Sequence, residues 1–313
     1  MKNVSSQKSN NSNELRDFFQ NLTEAKASGL AYLFATVLPS VLAFLLMIIL
    51  AAMGMLQNGY DKTDWYVYLM YLLPPVAFAV IVVLHARMTK QTLPKLIKKQ
   101  ACPWKYYLIA LLLQFGLFSL SQLNGWFITW LQNFGYVPTG VPIPSVDGWG
   151  LLGVLITIAL LPAIFEEAIF RGILLNGLKS FGAVGAVLLC GGLFSLYHQN
   201  PEQTIYQFCC GAAYALVAMK AGSIFPTALA HFTNNALIIL MYKWGTPAIS
   251  EVGSVVLMIA SALCLIGTLV YLIVFDKKES APIQDVKKDR KEFFLGAVFG
   301  IIGCLAGWIA GLW

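Results

Sequence analysis

The stretch LLPAIFEEAIFRG, residues 160–172, places Glu166, Glu167 and Arg171 inside a run that is otherwise as apolar as a membrane interior. Its surroundings decide how it folds. Of the 313 residues, 58% are hydrophobic and only 12% charged, against about one quarter charged in soluble domains. The mean hydropathy is +0.71. Such a chain is expected to fold as an all-α, polytopic transmembrane bundle, because in lipid each backbone polar group must be satisfied within its own helix.

Working outward from residues 160–172, long apolar runs predict nine helices. They cover about 29–55, 64–86, 106–123, 149–178, 182–199, 203–219, 224–242, 252–275 and 294–313, of which eight to nine are expected to span the bilayer. The domain plan is then a polar cytoplasmic tail over 1–28, a transmembrane domain over 29–275, a charged cytoplasmic loop over 276–293 and a final transmembrane helix over 294–313. Residues 1–28 are rich in Ser, Asn and charge and lack a short apolar core, so they read as a tail rather than a cleaved signal peptide.

The net charge of +6 is informative through its placement. Residues 87–105, RMTKQTLPKLIKKQACPWK, hold six basic residues and no acid, and residues 276–292, DKKESAPIQDVKKDRKE, are again Lys-rich. Six helices separate the two, so both fall on one side, together with the turns at Lys179 and Lys220. The positive-inside rule makes that side cytoplasmic and puts the N-terminus inside. The opposite loop, 133–149, has three prolines and no Lys or Arg, as an exterior loop should. The expected location is a cell membrane, with the bilayer itself a partner. No basic stripe interleaved with aromatics is present, and a nucleic-acid partner is not expected. The six cysteines form no CxxC pair and five lie in apolar runs, which favours buried thiols over disulfides or a zinc ribbon.

A carboxylate at the centre of a spanning helix costs roughly 2.5–3.5 kcal/mol, so two adjacent ones need a reason. Glu167 and Arg171 stand i,i+4 with the acid first, the favourable order for an ion pair on one helix face. Glu166 points about 100° away and is left for another task. Pro162 cannot donate to the carbonyl of Ile158, which opens the backbone one turn before that acid.

Partners for Glu166 must lie at its own depth. The chain has three histidines: His85, beside Arg87 at a helix end, reads as interfacial, whereas His198 and His231 lie within apolar segments, the latter followed at i+4 by Asn235. Counting from the inner turns places Glu166, His198 and His231 roughly 15–25 Å from the inner helix ends, so they can meet. Glu166 with His198 can activate a water, burial raising the acid's proton affinity while the histidine shares or relays the proton. His231 and Asn235 can donate to the oxyanion of an attacked carbonyl. Peptide-bond hydrolysis is the class that fits. A two-histidine, one-carboxylate zinc set of Glu166, His198 and His231 is an alternative, although HExxH is absent. Ser195, near His198, is a weak nucleophile candidate.

The segments EEAIFR (166–171), FSLYH (194–198) and HFTNN (231–235) resemble, in order, the EExxxR, FxxxH and HxxxN or HxxxD motifs of the CPBP family, the Abi-type intramembrane proteases related to type II CAAX prenyl endopeptidases. The resemblance covers roughly residues 105–245, the expected catalytic core. It implies a catalytic cavity within the bilayer of a prokaryotic cell, with Glu166 and His198 activating water, His231 and Asn235 supporting the oxyanion, and Glu167 counted with the catalytic set while pairing structurally with Arg171. No cofactor is required by a glutamate mechanism, and zinc is required by the metalloprotease alternative. The implied partner is a membrane-associated peptide or protein, lipidated or not. Two other classes compete: a non-catalytic immunity or binding protein, and a proton-coupled transporter, against which the absence of an internal repeat speaks.

Overall fold

A computed structural model of the chain describes residues 22–97, 101–138, 140–277 and 286–313. Its regular elements among these residues are all helical. Nine long helices correspond to the nine apolar runs: α1 (Glu24–Ala52), α2 (Asp64–Met88), α4 (Lys105–Gln132, with a tighter turn at Phe118–Leu120), α5 (Trp149–Gly177), α6 (Gly182–Tyr197), α7 (Thr204–Ala221), α8 (Phe225–Trp244), α9 (Glu251–Phe275) and α10 (Val286–Ala310). The short α3 (Leu93–Ile97) sits between α2 and α4.

Seven of the nine are long and apolar enough to cross a membrane, one or two fewer than expected. The two that fall outside this set are α7 and α8. They supply polar groups to the interior of the bundle, among them Tyr206, Tyr214, His231, Asn234 and Asn235. The outward surface is apolar: Phe34, Phe44, Ile48 and Ile49 of α1, and Leu263, Ile273 and Phe275 of α9, are all exposed. That is the inverse of a soluble surface and is what contact with lipid tails requires. The chain is an integral membrane protein.

Three boundaries differ from the expectation, the helix expected to end at about 123 running on to Gln132. The first helix starts at Glu24, where the Thr23 side chain caps the Lys26 N–H, rather than at the first apolar residue. The last starts at Val286, so the stretch expected as a charged loop over 276–293 is helical from 286, where Arg290 donates to the Ser180 carbonyl. Residues 1–21 of the tail expected over 1–28, and the loop residues 278–285, lie outside the described residues.

The basic segments meet at one end of the bundle. Lys105 lies 3.9 Å from the Asp276 carboxylate, Tyr106 donates to it at 2.7 Å, and Lys220 donates to the Asp276 carbonyl. At the opposite end Asn124 and Tyr136 both donate to Glu202. Burial and the bond to Glu202 push the Tyr136 hydroxyl up to about 12, so it remains a donor at neutral pH.

Between these ends two large apolar cores flank α5 to α8, and a smaller one of Val154, Ala159 and Ile239 joins α5 to α8. One packs α1, α2 and α10 against α5 and α6; the other packs α4 and α9 against α7. Because lipid is as apolar as leucine, such packing depends on close approach. The closest is α1 on α10, where a Cβ on Gly29 would stand 2.2 Å from the Phe293 carbonyl oxygen and one on Gly296 would stand 2.6 Å from that of Lys26. His85, expected at an interface, is buried where α2 faces α1, and Cys190, Cys210 and Cys304 are buried free thiols.

Candidate active site

Helix α5 carries the acids. Its course is irregular around them, with π-helical turns at Leu155–Leu160 and Ala168–Leu174. Turns of this kind re-aim side chains and recur at functional sites. Glu166 and Glu167 stand on the short α-helical piece between the two turns, which begins next to Pro162.

Glu167 and Arg171 form the ion pair that their spacing predicts, with Nη1 to Oε1 at 2.7 Å and both side chains fully buried. The second guanidinium nitrogen, Nη2, donates to the Gly211 carbonyl at 3.2 Å. The guanidinium carbon lies 4.4 Å from the Phe194 ring centre, 5.4 Å from that of Tyr214 and 5.9 Å from that of Phe170. Aromatic faces therefore replace the water a buried cation loses.

The same Glu167 oxygen lies 3.1 Å from His231 Nδ1. A carboxylate can only accept, so Nδ1 carries the proton and Nε2 is turned toward Glu166, 3.8 Å from its Oε2. Arg171, Glu167 and His231 thus form a chain that sets the tautomer of the imidazole, as carboxylate–histidine pairs do elsewhere. Glu166 Oε2 is buried and has no hydrogen-bond partner among the described residues.

His198 ends α6. Its Nδ1 donates to the Phe194 carbonyl at 2.8 Å, leaving Nε2 with a lone pair. Its ring packs edge-on against Phe194 at 4.8 Å, and Phe194 packs against His231 at 6.0 Å. His198 lies within electrostatic range of both Glu166 and His231. Among the described residues no hydrogen bond joins it to Glu166; the imidazole facing Glu166 directly is His231. Gln199 follows in a left-handed conformation, φ 50°, which stops the helix just after His198.

Asn235 finds the carbonyl that Pro162 cannot serve: its Nδ2 donates to Ile158 O at 3.4 Å. Its Oδ1 accepts from Asn234 Nδ2 at 3.1 Å. Asn234 belongs to a buried polar group with Gln114, Tyr206 and Tyr214 that residue spacing did not bring to notice. The available signal was weak: Gln114 is one amide in the apolar run KYYLIALLLQFGL. Ser195 donates to the Thr204 carbonyl at 2.8 Å and so ties α6 to α7.

The metal alternative turns on donor geometry. Among the described residues no three His, Cys, Asp or Glu side chains converge as a ligand set. His231 Nδ1 is held by Glu167 and His198 Nδ1 by a carbonyl, so in each ring Nε2 is the nitrogen left to take a proton or a ligand.

Comparison with protein families matches residues 148–237 to the family described as Type II CAAX prenyl endopeptidase Rce1-like. Comparisons with curated proteins and with solved structures give no match. The matched segment runs from the start of α5 into α8 and contains Glu166, Glu167, Arg171, His198, His231 and Asn235. Residues 148–237 are therefore similar to an Rce1-like type II CAAX prenyl endopeptidase domain, consistent with a CPBP-family protease, within a polytopic helical bundle.

Proposed function

We propose that the chain is an intramembrane endopeptidase that hydrolyses a peptide bond of a membrane-associated protein or peptide, with or without an attached lipid. The observation that carries this reading is the buried Oε2 of Glu166 facing an imidazole whose other nitrogen is already held. A carboxylate in that setting is a base for water.

Glu166 takes a proton from water, and the resulting hydroxide adds to the scissile carbonyl carbon. The carbonyl oxygen becomes an oxyanion that accepts from the second N–H of Asn235 and, once His231 carries a proton on both ring nitrogens, from His231 Nε2–H. As the tetrahedral adduct collapses, the C–N bond breaks and the departing amine takes the proton, with His198 Nε2 as the relay. Glu167 and Arg171 never touch substrate in this scheme; they position His231. Oxyanion donors of this kind are typically worth about 10²–10³ in rate. No step passes through a metal.

The same reading puts the basic end of the bundle and the N-terminus at the cytoplasmic face. Comparative peptidomics of membranes containing either the native protein or Glu166→Gln tests the proposal. Peptides released only by the native protein support it and report the substrate. Identical peptide profiles, with any protective phenotype retained by the variant, would instead favour a non-catalytic binding protein.

A further inference from the structure

Five polar side chains on three helices form a chain of hydrogen bonds that ends on a fourth. Tyr214 of α7 donates its hydroxyl to Gln114 Oε1 of α4. Gln114 Nε2 donates to Asn234 Oδ1 of α8 at 2.8 Å and to the Tyr206 hydroxyl at 3.1 Å. Tyr206 in turn donates to the same Asn234 oxygen at 3.0 Å. Asn234 Nδ2 donates to Asn235 Oδ1, and Asn235 Nδ2 donates to the Ile158 carbonyl of α5.

The chain has a direction. Every amide oxygen in it accepts from the Tyr214 side, and every amide nitrogen donates toward α5. An asparagine side chain is close to symmetric in shape, so only such bonds decide which way round it sits. Gln114 is 1% exposed and Asn234 7%, so solvent offers neither an easy substitute partner. A buried network of this kind is stabilising only when every member is satisfied.

We propose that Gln114 and Asn234, supported by Tyr206 and Tyr214, are positioning residues that fix the orientation of the Asn235 amide and aim its N–H at the oxyanion. The inference rests on the reading of Asn235 as an oxyanion donor. Gln114 lies outside the segment matched to the protease family, so α4, and not only the matched domain, completes the site.

A substitution at Gln114 should therefore act through Asn235, which it does not touch. Gln114→Glu keeps the acceptor for Tyr214 but removes both Nε2 donations, which inverts the preferred direction of the chain; Gln114→Met leaves it unfixed. In the full-length protein each variant should lower kcat about tenfold with KM unchanged, as expected when a donor is misaimed rather than lost. In an Asn235→Ala background neither should lower it further, because the interaction they act through is gone. Equal losses in both backgrounds would overturn the proposal.

A second readout does not depend on turnover. With ¹⁵N-asparagine labelling, the Asn235 side-chain NH₂ signal is identified by its disappearance in Asn235→Ala. It should shift in both Gln114→Met and Gln114→Glu, and an unmoved signal in both would sink the relay. If Glu166→Gln retained full turnover, the functional reading would fail while this spectroscopic arm still decided the relay.

Discussion

The imidazole of His231 is held through Nδ1 by Glu167, 3.1 Å away, so that the second of two adjacent glutamates orients the histidine that the first one faces. Adjacent acids in one helix point in different directions, and here that divergence separates a positioning group from a reacting one. Arg171 neutralises only the former.

Glu167→Gln would leave the Arg171 cation buried among aromatic rings without its carboxylate. Breaking such a pair from one side costs about 3–5 kcal/mol. The thermal midpoint of the detergent-solubilised variant should fall by several degrees, and it should fall less for the paired change Glu167→Leu with Arg171→Met. A midpoint unchanged by Glu167→Gln alone would show that the pair does not support the fold.

Asn235→Ala removes both the partner of the Ile158 carbonyl and the proposed second oxyanion donor. The expected result is a loss of kcat of about 10²–10³ with little change in KM. Steady-state cleavage of a membrane-anchored peptide reads it, and a variant changed only in KM would assign Asn235 to substrate binding.

The helix count, the approximate boundaries and the Glu167–Arg171 pair were legible because each depends on local pattern: apolar run length, flanking charge and i,i+4 spacing. That Glu166, His198 and His231 lie close together also followed from counting depth along helices. Which imidazole faces Glu166 did not, since rotation of α8 about its own axis is set by packing against α5 and α4, which no local spacing encodes. The Gln114 relay was hidden for the same reason, its members being far apart in sequence. The role of Pro162 was half visible: the unserved Ile158 carbonyl was foreseeable, its acceptance of Asn235 was not.

Packing of α1 on α10 has a direct test. Gly29→Val places carbon where the Phe293 carbonyl oxygen and the Ala297 and Gly296 backbone atoms already stand, and backbone cannot swing aside as a side chain can. Overpacking of this sort costs about 1–3 kcal/mol. Thermal unfolding should report that loss, whereas Gly303→Ala on α10, with open space around its added Cβ, should leave the midpoint within error.

Metal dependence separates the glutamate reaction from its zinc alternative. Protein purified without added metal should cleave at an undiminished rate after exhaustive chelation. Stoichiometric zinc in that preparation, lost in His231→Ala together with turnover, would replace the proposed reaction with a metal-assisted one.

The central claim is that Glu166 is the base. Its most direct test is single-turnover cleavage of a membrane-anchored peptide by purified wild-type protein and by Glu166→Gln, a change that keeps shape and removes the proton acceptor. The prediction is complete loss of cleavage in Glu166→Gln at wild-type thermal stability, with His198→Ala equally inactive. Turnover retained by both variants would contradict the account.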